Sequence, residues 1–284
     1  MKKREKKPRS YKEIAKLPKE LANDLPTSFD VIGSIALIKI PESLEKYKKN
    51  IAEAFLKTYK NIETVCKISP VSGELRTREI EILAGEKSLE TIHKEYGARF
   101  ELNVEKTYFS PRLANERKKI ADQVKTNEII LDMFTGVAPF PIIISKHANP
   151  KIIYAIEKNK DAIEYAKKNV KINKALDKIE VIHADAKDTY NVIKEKNVSG
   201  ANRIIMNLPF SAYLFFEEAL KVIKDNGKIH LFDFLKDEEI KGREKYLKEI
   251  AKKHDILLKD IFCEKIKSYS PREFYIRIDI TVKK

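Results

Sequence analysis

The stretch of sequence that decides the fold is IILDMFTGVAPF, residues 129–140. Its apolar run ends at the acidic residue Asp132, and a loop with one glycine, Gly136, leads into small and apolar residues that can begin a helix. This order is typical of a buried parallel strand that feeds a loop and a helix, as in the first unit of a nucleotide-type site. An ordinary strand, loop and helix without a ligand would read the same way, so the stretch alone leaves both interpretations open.

Two further apolar runs also end in an acidic residue. KIIYAIE at 151–157 starts about twenty residues after Asp132 and ends at Glu157, where a ribose-binding acid is expected. IEVIHAD at 179–185 ends at Asp185, which is placed to meet an adenine amine. Three successive strands that each end in Asp or Glu are more specific than any one of them. They predict a doubly wound α/β sheet that binds an adenosine-type ligand at its carboxyl edge.

The single glycine of the first loop narrows the choice of ligand. The stretch lacks the G-x-G-x-x-G pattern of dinucleotide binding, and a diphosphate would need more close backbone approaches. S-adenosylmethionine has no phosphate and its sulfonium is cationic, so one small turn beside an acidic residue is enough. We therefore expect S-adenosylmethionine as the cofactor.

The composition favours a polyanionic partner. The 284 residues include 57 Lys and Arg against 43 Asp and Glu, which gives a net charge of +14. This excess favours nucleic acid, although a highly charged surface of thermophilic type would explain part of it. The two cysteines, Cys66 and Cys263, are too far apart for a zinc motif or a disulfide framework. No apolar run approaches about 18 residues, so we expect a soluble, cytoplasmic protein without a membrane span. We also expect no bound metal.

The strand at 203–206 ends differently, because NLPF at 207–210 replaces the expected acid. Asn207 offers both a hydrogen-bond donor and an acceptor, and Pro209 stiffens the turn that presents it. This combination suits recognition of the edge of a planar base. The alternative is an Asx-type turn that caps the next helix.

The patterning divides the chain into three parts: a basic segment at 1–29, a small α+β domain at 30–105 and the cofactor-binding domain at 106–284. Within the second part we expect a strand over 31–40 and a hairpin with Gly97 in its turn. At the start of the third, Arg112 and Glu116 are spaced to lie one turn apart on one face of a helix. One interpretation is a surface ion pair between them. The other is that they take part in the active site, because they lie just ahead of the cofactor strand.

Taken together, five motifs resemble those of the archaeal and eukaryotic tRNA guanine-N1-methyltransferases, which act on the guanosine at tRNA position 37. They are RTR at 76–78, YFSPR at 108–112 with ER at 116–117, DMFTGV at 132–137, MNLP at 206–209 and KSYSPR at 267–272. That family usually has Ala and Gly where Thr135 and Ala138 stand. From about residue 30 onward, the resemblance implies a class I (Rossmann-like) methyltransferase sheet preceded by a small α+β domain that contacts RNA.

The resemblance also implies roles for individual residues. Glu116 matches the general base that removes the guanine N1 proton, Arg76 matches an arginine that holds the base and stabilises charge on O6, and Asn207 would bond the guanine edge. The implied cofactor pocket consists of Tyr108, Arg112, Asp132, Phe134, Glu157, Asp185 and Asn207. The implied substrate contacts are Arg76, Asn207 and Pro209. We expect tRNA as the partner and a monomeric enzyme.

Three alternatives remain open. NLPF also fits the motif of enzymes that methylate exocyclic amines, although those enzymes lack the elements at Arg76 and Glu116. A wyosine-pathway methyltransferase would also modify carbon 7 of the tricyclic precursor, whereas the aminocarboxypropyl transferases of that pathway lack the Asn-Leu-Pro motif. A non-catalytic RNA-binding protein would have no reason to keep acids at three strand ends.

Overall fold

The computed structural model describes residues 10–70, 73, 78–270 and 272–284. The chain forms two compact units, Met1–Leu113 and Ala114–Lys284. Among the described residues, none of the helices combines the length and the apolarity that crossing a bilayer requires.

The first unit is a small α+β structure. Its elements are β1 (Asp30–Ile32), β2 (Ile35–Ile38), α1 (Lys48–Thr58), β3 (Thr64–Ile68), β4 (Ile80–Gly85), β5 (Glu90–Glu95) and β6 (Ala98–Asn103). The first four strands form one sheet in the order β1-β2-β3-β4, and β5 and β6 form a separate hairpin. The buried face of α1, with Ile51 and Phe55, packs in one cluster with Ala36 and Val65 of the sheet. Tyr11 joins the same cluster, so the core begins before residue 30.

The hairpin with Gly97 in its turn is confirmed, since β5 and β6 pair from Glu90↔Asn103 to Glu95↔Ala98. Both turn residues, Tyr96 and Gly97, have positive φ, as a tight two-residue hairpin turn requires. The single strand predicted over 31–40 is wrong. Gly33 adopts a φ of +57°, and the chain reverses there so that β1 and β2 pair antiparallel. A Cβ at Gly33 would lie 2.0 Å from Thr91 Oγ1, so only glycine fits this turn.

The second unit contains the larger sheet. Its elements are α2 (Ala114–Gln123), β7 (Ile129–Asp132), α3 (Pro139–His147), β8 (Ile152–Glu157), α4 (Lys160–Ile172), β9 (Ile179–His183), α5 (Thr189–Glu195), β10 (Ala201–Met206), α6 (Phe216–Val222), β11 (Ile223–Lys236), α7 (Asp237–Lys252), β12 (Leu257–Ser270) and β13 (Glu273–Lys283). The strand order is β12-β13-β11-β10-β7-β8-β9. The five strands from β7 to β11 pair in parallel, and β13 pairs antiparallel with both β11 and β12.

The parallel part of this sheet confirms the predicted doubly wound fold. Every residue of β7 is buried, as expected of a central parallel strand covered on both faces. From β7 the chain runs outward through β8 and β9 and then returns to add β10 on the opposite side. The strand order therefore reverses between β7 and β10, and in open α/β sheets the ligand crevice lies at the carboxyl ends of such a pair.

Candidate active site

Asp132 ends β7 at this reversal of strand order and is completely buried. Its Oδ1 accepts a hydrogen bond from the Phe134 backbone N–H at 3.3 Å, and the nearby Thr135 hydroxyl also favours the ionised form, but Oδ2 has no hydrogen bond of good geometry among the described residues. Burial raises the pKa of this carboxyl to about 7. A buried oxygen without a good hydrogen bond is costly unless a ligand or cation lies near it, and S-adenosylmethionine is cationic. The aspartate therefore fits the predicted cofactor.

Glu157 ends β8 and ties its strand to the loop that follows Asp132. Its Oε2 accepts from the Gly136 N–H at 2.7 Å, and its Oε1 accepts from the backbone N–H groups of Lys158 and Asn159 at 2.9 and 2.7 Å. Burial raises the pKa of Glu157, and these three donors partly oppose that rise. A carboxylate has about four acceptor positions, so one remains for a hydroxyl group.

The loop between β7 and α3 contains two left-handed residues, Gly136 at φ +56° and Ala138 at φ +64°. Ala138 stands where the resembling family usually has glycine. Left-handed backbone explains that preference, because a side chain costs about 1–2 kcal/mol there. Ala138 nevertheless adopts this conformation directly before α3, so the departure from the family pattern leaves the turn intact.

Asp185 follows β9 and caps a short 3-10 turn. Its Oδ1 accepts from the Lys187 N–H at 3.0 Å, and its Oδ2 lies 2.8 Å from Lys158 Nζ. Burial opposes ionisation, but the hydrogen bonds from Lys158 and Lys187 prevail and lower the pKa of Asp185. Its side chain is 25% exposed, so it is accessible at the carboxyl edge, although an ion pair now lies where we predicted an adenine contact.

Asn207 follows β10, and its side chain is held by a distant strand. Its Oδ1 accepts from the hydroxyl of Tyr275 at 2.6 Å. The alternative of a helix-capping Asx turn is therefore wrong: the amide oxygen bonds to Tyr275, and the next turn starts at Ser211 without a side-chain cap. Pro209, two residues further on, is buried. The ring of Phe134, in the loop after β7, makes an edge contact with the ring of Phe215, with 5.2 Å between the ring centres.

Glu116 lies in the first turn of α2 and is only 3% exposed. Its Oε2 accepts from Arg277 Nη1, and its Oε1 lies 3.0 Å from Lys119 Nζ. The alternative of a surface ion pair between Glu116 and Arg112 is wrong, because Arg112 Nε donates to Asp30 Oδ1 at 2.5 Å. The physical reason is that Arg112 belongs to a 3-10 turn before α2 begins, so the helical spacing does not apply to it.

The remaining predicted residues fall within the first unit of the chain: they are Arg76, Tyr108 and Arg112. The Arg78 guanidinium lies 5.8 Å from the centre of the Tyr108 ring, and Arg112 pairs with Asp30 as described. Arg76 lies outside the described residues. The structure thus brings Asp132, Phe134, Glu157, Asp185 and Asn207 to the carboxyl edge of the second unit's sheet. Among the described residues, no group of three or more His, Cys, Asp or Glu side chains could hold a metal ion.

Sequence reasoning missed Tyr275 and Arg277, which bond directly to Asn207 and Glu116. A signal was present in FYIRIDITV at 274–282, where polar residues alternate with buried apolar ones. Alternation on a strand places Tyr275, Arg277 and Asp279 on one face. Three polar groups on one face of a strand whose other positions are apolar indicate a polar network.

Comparisons with known proteins agree with this architecture. Residues 91–259 match the TRM5/TYW2 methyltransferase domain, and residues 12–88 match the TYW2 N-terminal domain. The chain is 41% identical over 278 residues to the tRNA (guanine(37)-N(1))-methyltransferase Trm5b of Pyrococcus abyssi, which covers 97% of this chain and 81% of that protein. It is 33% identical to the tRNA(Phe) (4-demethylwyosine(37)-C(7)) aminocarboxypropyltransferase of Methanocaldococcus jannaschii, covering 88% and 96% respectively.

Two solved structures connect the fold with ligands. The complex of aTrm5 with tRNALeu superposes with a TM-score of 0.83 and 39% identity, over 99% of this chain and 80% of that one. TYW2 of M. jannaschii in complex with AdoMet (S-adenosylmethionine) superposes with a TM-score of 0.68 and 28% identity, over 90% of this chain and 100% of that one.

Proposed function

The chain belongs to the TRM5/TYW2 methyltransferase family, and from this premise we propose that it methylates N1 of guanosine 37 in tRNA. One observation carries the proposal. Asn207, a side chain suited to a base edge, follows β10, and β10 pairs directly with β7, which ends at Asp132. A base-recognition group and a cofactor-type loop therefore share the crevice at which the strand order reverses.

The cofactor of this reaction is S-adenosylmethionine. When bound, it supplies the methyl group and retains the electron pair of the broken carbon–sulfur bond. Glu157 would accept a hydrogen bond from a ribose hydroxyl, and Asp185 would accept one from the adenine amine. Asp132 would provide negative charge, and Phe134 would contact the cofactor. The resemblance also implies cofactor contacts for Tyr108 and Arg112. Among the described residues, Oδ2 of Asp132 has no well-formed hydrogen bond, and this observation favours a cationic ligand here.

Guanine N1 carries a proton and is a poor nucleophile until it loses that proton. As the bond from N1 to the methyl carbon forms, the N1–H bond breaks and the proton passes to a carboxylate, which we assign to Glu116. In the structure this carboxylate is bound by Arg277 and Lys119. Catalytic hydrogen bonds often form only with substrate present, so this arrangement is the resting one.

Negative charge develops on guanine O6 as the N1 proton leaves. Asn207 would stabilise it, because its amide oxygen accepts from Tyr275 and its NH2 group is the part that can donate. Among the described residues we find no hydrogen-bond partner for that amide nitrogen. Arg76 would add a second, charged donor on O6, and Pro209 would limit the movement of the turn.

The partner is tRNA, which the enzyme would bind as a monomer. The target base must leave its stack, at a cost of a few kcal/mol, roughly. The net charge of +14 provides attraction to phosphates. Apparent affinity for tRNA should therefore fall about tenfold for every two phosphates contacted when salt rises from 50 to 200 mM. A flat response would contradict a phosphate-driven interface.

Transfer of a labelled methyl group tests the proposal. A tRNA transcript with guanosine at position 37 should accept label, and the same transcript with adenosine at 37 should not. Equal labelling of both transcripts would contradict the choice of base. Binding of tRNA without any labelling, together with failure to bind S-adenosylmethionine in calorimetry, would support a non-catalytic RNA-binding protein instead.

A further inference from the structure

Two side chains on one face of β13 form hydrogen bonds to Asn207 and Glu116, the proposed catalytic residues of the second unit. Residues two apart on a strand point to the same face, so Tyr275 and Arg277 are neighbours there. The Tyr275 hydroxyl donates to Asn207 Oδ1 at 2.6 Å, and Arg277 Nη1 donates to Glu116 Oε2. Asn207 and Glu116 come from different segments of the chain, but both are bonded by residues two apart on a single strand.

Tyr275 is fixed by aromatic packing. It is 2% exposed, and its ring lies 5.8 Å from that of Phe232, nearly parallel, and 4.7 Å from that of Phe234. The direction of its hydroxyl therefore follows from its packing against two rings of the neighbouring strand β11. Because that hydroxyl takes the amide oxygen of Asn207, it decides which end of the amide is turned toward a substrate.

Arg277 is fixed by carboxylates. Its Nε and Nη2 donate to Asp279 at 2.8 and 3.0 Å, and Nη2 also donates to Glu264 at 2.7 Å. Two carboxylates therefore hold the planar guanidinium before it reaches Glu116. A rigid fork of this kind orients a carboxylate in a way that an ammonium group cannot.

The hydrogen bonds that hold Arg277 continue through Asp279 to other side chains of the sheet. Asp279 Oδ1 lies 2.6 Å from His230 Nδ1, and His230 Nε2 lies 2.6 Å from Arg203 Nη1. Arginine can only donate, so Nε2 must be the acceptor and Nδ1 must carry the proton that it donates to Asp279. This is the neutral imidazole, and burial lowers the pKa of His230 in the same direction. Arg203 in turn binds Glu128 through Nε at 2.8 Å.

We propose that Tyr275 and Arg277 are positioning residues for methyl transfer, the first by setting the orientation of the Asn207 amide and the second by holding the Glu116 carboxylate. The inference rests on the proposed function, since it takes Asn207 and Glu116 to act on the guanine. Neither β13 residue is expected to touch the cofactor. Their loss should therefore lower the rate of methyl transfer and leave cofactor affinity unchanged.

The sharpest test is Tyr275→Phe, which keeps the packed ring and removes only the hydroxyl. The single-turnover rate should fall by about 3- to 10-fold, the effect of one hydrogen bond, with cofactor affinity unchanged in calorimetry. In an Asn207→Ala background, Tyr275→Phe should cause no further loss, because the hydroxyl acts through that amide. Tyr11→Phe is the matched control: Tyr11 is also 2% exposed and its hydroxyl donates to Pro26 O, but in the first unit.

Arg277→Lys tests the second half of the proposal, because it keeps the charge and removes the fork. The single-turnover rate should fall by about 10- to 100-fold, within the range for misplacing a catalytic group. The same change in a Glu116→Gln background should cost little more. An Arg277→Lys protein that no longer binds cofactor is misfolded, and the Tyr275→Phe cycle then decides the proposal.

The outcomes distinguish failure of the proposed function from failure of the positioning role. If the wild-type protein does not methylate tRNA, the proposed function fails and this inference with it. If the wild type is active but Tyr275→Phe lowers the rate by the same factor with and without Asn207, or has no effect in either background, only the positioning role is overturned.

Discussion

Two aspartates in the larger sheet have opposite surroundings. Asp132, at the carboxyl end of β7, has one long backbone hydrogen bond, a neighbouring Thr135 hydroxyl and an oxygen without a well-formed hydrogen bond among the described residues, and burial raises its pKa to about 7. Asp279, in β13, is only partly buried, with its side chain 22% exposed, and hydrogen bonds from His230 and Arg277 lower its pKa to about 2. The parallel edge therefore leaves polar capacity for a ligand, whereas the antiparallel extension satisfies its charges internally.

This difference indicates a division of labour. The carboxylates of the parallel edge, Asp132 and Glu157, are bonded mostly by backbone N–H groups of nearby loops, and their remaining capacity suits a ligand. The groups of the antiparallel extension, Tyr275 and Arg277, bond to other side chains and fix them in place. Changes at the parallel edge should therefore alter cofactor affinity, and changes around β13 should alter rate.

The largest expected effect is that of Glu116→Gln. This change keeps the shape of the side chain but removes its ability to take the N1 proton, so the single-turnover rate should fall by about 10²–10⁴-fold. Cofactor and tRNA affinity should change little, because Glu116 is not expected to contact the cofactor. Glu164→Gln, on the exposed side of α4, serves as the control. A near-wild-type rate with an unchanged pH profile would leave Glu116 as a structural ion-pair partner only.

The next effect concerns Asp132 and protein stability. With its pKa raised from 3.8 to about 7, the folded state holds the proton more tightly than the unfolded state. Stability should therefore fall as pH rises from about 4 to about 7 and stay low above that, by roughly 4 kcal/mol in total. Asp132→Asn is neutral throughout and should lack this loss. Thermal unfolding at pH 5 and pH 8, without cofactor, measures the difference, and parallel pH profiles for the two proteins would count against it.

A smaller effect is expected at Glu157. Glu157→Ala should weaken S-adenosylmethionine binding by about 1.5–3 kcal/mol, the usual range for hydrogen bonds to a charged group. Calorimetry measures this directly, with Glu180→Ala on the adjacent strand β9 as the control. Unchanged affinity would move the ribose contact to another residue and weaken the distinction between the two regions.

The smallest effect is expected at Asp279, with the opposite sign to that at Asp132. Its pKa is lowered from 3.8 to about 2, so it stabilises the folded state above pH 4, and this contribution is lost as pH falls toward 2. Asp279→Asn should therefore cost roughly 2 kcal/mol at neutral pH and much less at pH 2. Urea unfolding at pH 7 and at pH 2 provides the test. A loss of equal size at both pH values would show that packing, rather than charge, accounts for it.

The parallel edge was readable from the sequence because each of its features is local. Asp132, Glu157 and Asp185 each end an apolar run, and Asn207 stands where a fourth acid is expected. Strand periodicity, loop length and the topology of parallel sheets then bring these positions together. Fold class and the proposed cofactor followed from that pattern.

The antiparallel extension was not readable in the same way, because its contacts join distant parts of the chain. Arg277 meets Glu116 across 161 positions and Tyr275 meets Asn207 across 68. Nothing local to α2 shows which cation pairs with Glu116, and the spacing that pointed to Arg112 fails because the helix begins after it. The strand predicted over 31–40 was wrong for the same reason. The turn at Gly33 depends on the close approach of Thr91, which is distant in the sequence.

The measurement that tests the central claim most directly is mass spectrometry of nucleosides from tRNA incubated with the protein and labelled S-adenosylmethionine. N1-methylguanosine from position 37 should carry the label. Label on the exocyclic amine of guanosine would contradict N1 transfer and favour the exocyclic-amine alternative. Label on carbon 7 of the wyosine precursor, in addition to N1, would extend the activity, whereas label there without N1-methylguanosine would contradict the account.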